Sequence, residues 1–240
     1  MLDKNLRILD FVYPHLGDPD DDTANDYERD LLFYIFMSTI RKVIDETVEI
    51  EDYEKVKNRI CYVLVNTEAN KDILADNPSR SFYDMSILYY VLRESNGTFI
   101  PLPVNNSLMK LWNVTEADLY KNAKKNTPDI LKFQSKSLPT KILKDEKTYI
   151  ISNHLYKKGA ISILYPGAFQ RFTNGFITKN YYVFPLTTEE TFVMMTDEDL
   201  TKEKLLVLKF HYVSIVGHIG QLLTKKVFKY IKETDTFQEV

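Results

Sequence analysis

The stretch 147–169, KTYIISNHLYKKGAISILYPGAF, limits the folds open to this chain more than any other part of it. Residues 148–152 and 160–165 are short runs rich in Ile and Tyr, and the polar segment 153–159 between them ends in glycine. The pattern predicts a β-hairpin. Its second strand should stop at Tyr165-Pro166-Gly167, because proline donates no ladder hydrogen bond and fixes φ. Ile151, Ile161 and Ile163 then require other elements to cover them.

With 240 residues there is enough chain for one large domain or two small ones, each able to bury a core. The net charge of −3 gives no global positive field for nucleic acid or acidic membrane. Cys61 is the only cysteine, so no internal disulfide and no Cys-rich zinc site can form, and a reducing cytoplasm fits. The first residues, MLDKNLRILDFVYPHL, lack a long apolar core, and no run approaches 18 apolar residues, which argues against a secretion signal and a membrane span.

Taken in order, residues 1–26 join a short apolar patch to an acidic loop holding Asp18, Asp20, Asp21 and Asp22. The loop lacks the glycine and distal glutamate of an EF-hand, so the aspartates read as helix-capping and solvated. Residues 27–46 predict a long amphipathic helix whose apolar surface, widened by Phe33 and Tyr34, exceeds a single seam. A second short helix is expected within 49–57, a strand over 58–67, a turn at 76–79, a central strand over 84–93 and an edge strand over 98–102 bearing Pro101. Residues 106–111 should form a turn or two of helix. Thr115 followed by Asp118 marks the start of a further helix, predicted to end near Lys125 because Pro128 follows Thr127. Residues 133–146 show no period and read as a mobile crossing loop. Beyond the hairpin come a short helix at 168–172, strands at 181–184 and 191–195, a helix over 200–212 with Leu205, Leu208 and Tyr212 inward, a bend over 213–220, and a last strand at 227–231 before a polar tail. The fold class is therefore α+β, with two small, mainly antiparallel sheets at about 59–102 and 148–195 flanked by helices. Burial of Ile87, Tyr89, Val91, Ile161 and Ile163 belongs to that expectation. The units are an acidic loop and helix (1–50), a first α+β half (51–132), a connecting loop (133–146) and a second α+β half (147–240).

Chemistry is sparse. The four histidines are far apart, none in an HExxH pattern, and seven glycines form no phosphate-cradling motif. Cys61 lies in an apolar run, where burial makes a thiol inert. Glu189 and Glu190, read as neighbours in a strand, would point to opposite faces. Arg80 and Asp84 read as one structural salt bridge. Lysines 121, 124, 125, 132, 136, 141, 144 and 147 cluster, but Asp118, Asp129, Asp145 and Glu146 dilute them, so direct nucleic-acid binding is not expected. No cofactor or metal site is expected.

Several phrases carry a resemblance: DYEKVKNRICYVLVN at 52–66, LWNVTEADLYKNAKKNTP at 111–128, GAISILYPGAF at 159–169, YYVFPLTTEETFVM at 181–194 and LLTKKVFKY at 222–230. In this order they resemble an uncharacterised domain-of-unknown-function family of anaerobic gut bacteria, associated with plasmids and conjugative elements. The resemblance implies an α+β fold and an accessory role in mobile DNA, and it supplies no active site. Where that family carries Pro-Ser-Ser and then His-Glu, this chain has Pro185-Leu186-Thr187 and Glu189-Glu190, so any chemistry done by that histidine is lost here.

Two functional expectations follow, from different classes. The first is a non-enzymatic binding protein of a mobile element that acts on a host or phage protein, with a nucleic-acid-guided defence nuclease as the suggested target. Its docking residues would be Asp18, Asp20, Asp21, Asp22, Tyr27, Phe33 and Tyr34, the carboxylates meeting a basic cleft and the rings serving as anchors. The second is a hydrolase-like enzyme whose polar site lies between the two halves, lined by Arg80, Asp84, Asn126, Tyr165 and Glu189.

Overall fold

The computed structural model describes residues 50–95, 98–139, 142–143, 146–155, 157–216 and 222–240. The helix expected at 27–46 lies outside the described residues. The first half contains α1 (Tyr53–Val56), β1 (Ile60–Asn66), α2 (Lys71–Asp76), β2 (Ser79–Phe82), β3 (Met85–Ser95), β4 (Thr98–Pro103), α3 (Asn106–Leu111) and α4 (Glu116–Ile130). The second contains β5 (Phe133–Leu138), β6 (Lys147–Asn153), α5 (Ala168–Asn174), β7 (Asn180–Pro185), β8 (Thr191–Thr196), α6 (Lys202–Val216), β9 (Phe228–Ile231) and β10 (Thr236–Glu239).

The fold is α+β with two antiparallel sheets, as the sequence predicts. In the first sheet β3 pairs with β1, β2 and β4, so its apolar run is central. β4 bonds to β3 along its prolines, at an edge where a missing donor does no harm. The second sheet has the order β10-β9-β7-β8-β6-β5. Every residue of β7 and β8 is buried, because both faces of that sheet are covered. On one face Tyr181, Val183, Val193 and Met195 join the main core, with Ile60, Tyr62 and Leu64 of β1, Ile87, Tyr89 and Val91 of β3, and Leu119 and Ala123 of α4. On the other, Tyr182, Phe184, Phe192 and Met194 pack against Leu205, Leu208 and Tyr212 of α6.

The hairpin expectation is half right. Residues 147–153 form β6, but residues 159–164 form a 3-10 helix instead of the partner strand. Ala160, Ile161, Ser162 and Ile163 are all buried, and a short run covered on every side carries no period that separates strand from helix. The Ala160 N–H donates to Thr188 O at 3.0 Å, and Lys158 enters the turn with φ 53°. β6 pairs instead with β8 and β5.

Four other readings change. Residues 133–138, expected to be loop, form β5 at the sheet edge. Its sequence FQSKSL is largely exposed, so it shows no buried face, and its lysine suits a strand with one edge left open. α4 passes through Pro128 to Ile130. The carbonyl that proline fails to engage belongs to exposed Lys124, and tertiary bonds hold the helix end. Thr127 Oγ1 accepts from Tyr62 N–H at 3.2 Å, and Asn126 donates to Lys57 O and Ile60 O at 2.7 and 3.0 Å. These bonds also occupy the free edge of β1. α6 runs to Val216, so its end falls inside the expected bend. Two short, mostly polar strands have no counterpart in the expectation: β2 begins at the last residue of the expected turn at 76–79, and β10 lies in the expected polar tail. The N-cap of α4 is as read: Thr115 and Asp118 form a capping box.

Candidate functional site

Of the five residues of the expected polar site, Arg80, Asp84, Asn126 and Glu189 are each engaged by a different polar partner, while the buried Tyr165 hydroxyl has no hydrogen-bond partner among the described residues. Arg80 forks onto Glu116, with Nε to Oε1 at 3.0 Å and Nη2 to Oε2 at 2.8 Å, and its guanidinium lies 3.9 Å from the centre of the Tyr120 ring. Tyr89 donates to the same carboxylate. Asp84 accepts from Thr224 Oγ1 at 2.7 and 2.8 Å, so Arg80 and Asp84 do not form the salt bridge expected between them. Asn126 holds main-chain carbonyls before and within β1. Glu189 lies in the loop after β7, not in a strand, and accepts from the Lys158 N–H while its carboxylate sits 3.6 Å from the Lys158 ammonium. Tyr165 is buried against Tyr62, with ring centres 6.4 Å apart. The structure does bring Tyr165 and Glu189 within electrostatic reach of Tyr90, next to Cys61. Burial is the main cause that pushes the Cys61 thiol up to about 12, far from a nucleophile's range.

Among the open grooves on the described surface are two at the second sheet. The larger, about 380 Å³, is lined by Lys147, Phe176, Ile177, Thr178, Asp197 and Glu198 among others. Its carboxylates are already engaged, Asp197 by Thr178 Oγ1 and the Lys179 N–H, Glu198 by Lys204. The smaller lies between β5 and α5 at Phe133, Arg171 and Phe172. Neither is lined by the five residues above. Among the described residues no three of His, Cys, Asp and Glu gather to hold a metal ion. No described helix is long and apolar enough to cross a membrane. The docking candidates Asp18, Asp20, Asp21, Asp22, Tyr27, Phe33 and Tyr34 lie outside the described residues.

The feature that stands out is α6. Its sequence KEKLLVLKFHYVSIV is apolar nearly all round, whereas a helix lying on one sheet needs only one apolar stripe. Leu205, Leu208 and Tyr212 fill the inner side, and Lys209 joins them there, 4% exposed. The outer side presents Leu206 (45% exposed), Val207 (70%) and Phe210 (78%) to solvent. Adjacent large apolar groups left in water are what mark an interaction surface. The sequence reading identified the inner stripe and missed the outer one. The signal was present, since residues 205–216 contain too many apolar positions for one face.

Compared with known proteins, the chain matches over residues 32–208 a model described as "Family of unknown function (DUF5688)". No curated protein and no solved structure matches.

Proposed function

The chain belongs to the DUF5688 family, whose function is unknown, and from its own geometry we propose that it acts by docking a protein partner and not by catalysis. The observation that carries this reading is the outer face of α6, where Phe210 and Val207 stand in solvent on a helix whose inner face is already buried. A large aromatic beside two aliphatic side chains is the composition of an interface anchor. The polar groups that an enzyme would need support the same reading, since Arg80, Asp84, Asn126 and Glu189 are engaged in ties that hold elements together. In the setting implied by the sequence resemblance, the protein is a cytoplasmic accessory factor of plasmids and conjugative elements in anaerobic gut bacteria. Its partner is then a host or phage protein, with a nucleic-acid-guided defence nuclease as the class to try first.

The test compares the unaltered chain with Phe210→Glu and Val207→Asp as immobilised baits in lysate and against purified guided nucleases. The expected result is a stoichiometric partner held by the unaltered chain and lost from both variants, whose circular dichroism and melting temperature are unchanged. A partner held equally by all three, or by none, overturns the proposal.

A further inference from the structure

We infer that, in the absence of its partner, the outer face of α6 is covered by the same face of a second copy of this chain, so that the partner competes with self-association. The inference rests on the reading of that face as a docking surface and names its regulation.

At 100° per residue, Glu203, Val207, Phe210 and Ser214 form one stripe of α6, flanked by Leu206 and His211, on the side opposite Leu205, Leu208 and Tyr212. Glu203, His211 and Ser214 are exposed, as are the apolar residues between them. The stripe therefore has an acceptor, Glu203, at its N-terminal end, a donor, the His211 imidazole, toward its C-terminal end, where the Ser214 hydroxyl is taken up by His211 O, and an apolar centre about one turn long.

That order is self-complementary under a two-fold axis. Two copies of α6 packed antiparallel, with Val207 of each against Phe210 of the other, set each Glu203 opposite Ser214 with His211 one turn nearer the centre. Each carboxylate then meets the imidazole N–H of His211, while the Ser214 hydroxyl keeps its own 2.6 Å bond to His211 O, and the two helix dipoles run antiparallel. A partner of unrelated sequence would have to match an apolar patch this short and both polar ends, whereas a second copy matches them by symmetry. The face is small beside the roughly 800 Å² per partner of a standard interface, so the dimer should be weak, with a dissociation constant on the order of 10–100 μM. Weak pairing suits a face that must open to another protein.

Sedimentation velocity of the full chain from about 1 to 300 μM spans that range. The unaltered chain should pass from monomer to dimer. Phe210→Glu and Val207→Asp should stay monomeric, while Ile177→Glu, at a position fully exposed elsewhere, should pair like the unaltered chain. Glu203→Arg should weaken pairing about five-fold or more, as like-signed or unmatched ends do, and adding His211→Glu should restore it. An unaltered chain that remains monomeric at the highest concentration, or a dimer that survives Phe210→Glu, overturns the inference. A monomeric chain whose captured partner is still lost on Phe210→Glu removes the second copy but leaves the docking reading intact. A dimer broken by Phe210→Glu, with a partner captured equally by bait and variant, supports self-pairing and overturns the docking reading.

Discussion

The ammonium of Lys209 donates to the main-chain carbonyl of Lys226 at 2.6 Å, which ties α6 to the segment leading into β9. Pro185 O, at the end of β7, is a second acceptor at 3.4 Å. The nearby carboxylate of Asp84 supplies an opposite charge and is itself held by Thr224, from the same segment as Lys226. Asn66 of β1 donates to Leu222 O and Leu223 O of that segment, at 3.4 and 3.1 Å. Residues 222–226 thus fasten the first sheet to the second, and Lys209 fastens the helix to both.

Lys209 should make stability depend on pH. Burial lowers its pKa from 10.5 to about 7, against the opposing pull of Asp84. Below pH 7 folded and unfolded chains both carry the proton. Between about 7 and 10.5 the unfolded chain binds it and the folded chain does not, so folding becomes more favourable as pH rises, by at most about 1.4 kcal/mol per pH unit. Lys209→Met removes this contribution. Urea unfolding at pH 6 and pH 9.5 should show the unaltered chain gaining on the variant by more than about 1 kcal/mol at the higher pH. An equal difference at both pH values would show that Lys209 keeps its proton throughout.

Gly159 should not tolerate a methyl group. A Cβ there would lie 2.0 Å from Ser152 Oγ, 2.6 Å from Asn153 N and 2.8 Å from Glu189 O. Ser152 can rotate away only by giving up its 2.7 Å bond to Glu189 O, and the other two atoms are main chain. Gly159→Ala should therefore cost about 2–3 kcal/mol, read as a lower urea midpoint. Adding Ser152→Ala should recover only part of the loss. A midpoint unchanged by Gly159→Ala contradicts the close packing of this turn.

The same turn shows what was legible in the sequence. The strands 60–66, 85–95 and 191–196 were readable because their apolar runs have the right length and are flanked by polar or turn residues. Residues 159–164 were not, because Ala160 to Ile163 are buried not only by neighbouring β6 but also by β1 and the loop at 187–190, which are distant in sequence. Pro128 was read by its local preference to end a helix, which Asn126 and Thr127 override through bonds to β1. Of the candidate site, Arg80 and Glu189 were singled out as polar residues near core elements, which they are. Their partners Glu116 and Lys158, 36 and 31 residues away in sequence, were not visible. The outer face of α6 was visible as composition, but the helix pattern names only its inner residues Leu205, Leu208 and Tyr212.

The Arg80–Glu116 pair tests whether that polar cluster serves the fold. Burial alone would raise the Glu116 carboxyl, but hydrogen bonds from Arg80 and Tyr89 and the Arg80 charge outweigh it and hold the group below its ordinary 4.5. A folded value below the unfolded one gives stability that is present above the unfolded value and lost as pH falls through the folded one. Both side chains are partly exposed, 39% and 28%, so solvent screening keeps the pair at the modest end for such contacts. Glu116→Gln should cost about 1 kcal/mol at pH 7, and the cost should shrink toward zero at pH 3. Arg80→Lys keeps the charge but gives up the two-pronged bond and the stacking on Tyr120, and should cost a similar amount at pH 7. Urea midpoints at the two pH values check both. A Glu116→Gln deficit that is the same at pH 3 and pH 7 would mean the carboxylate does not act through Arg80, and the cluster would again be open to a role outside the fold.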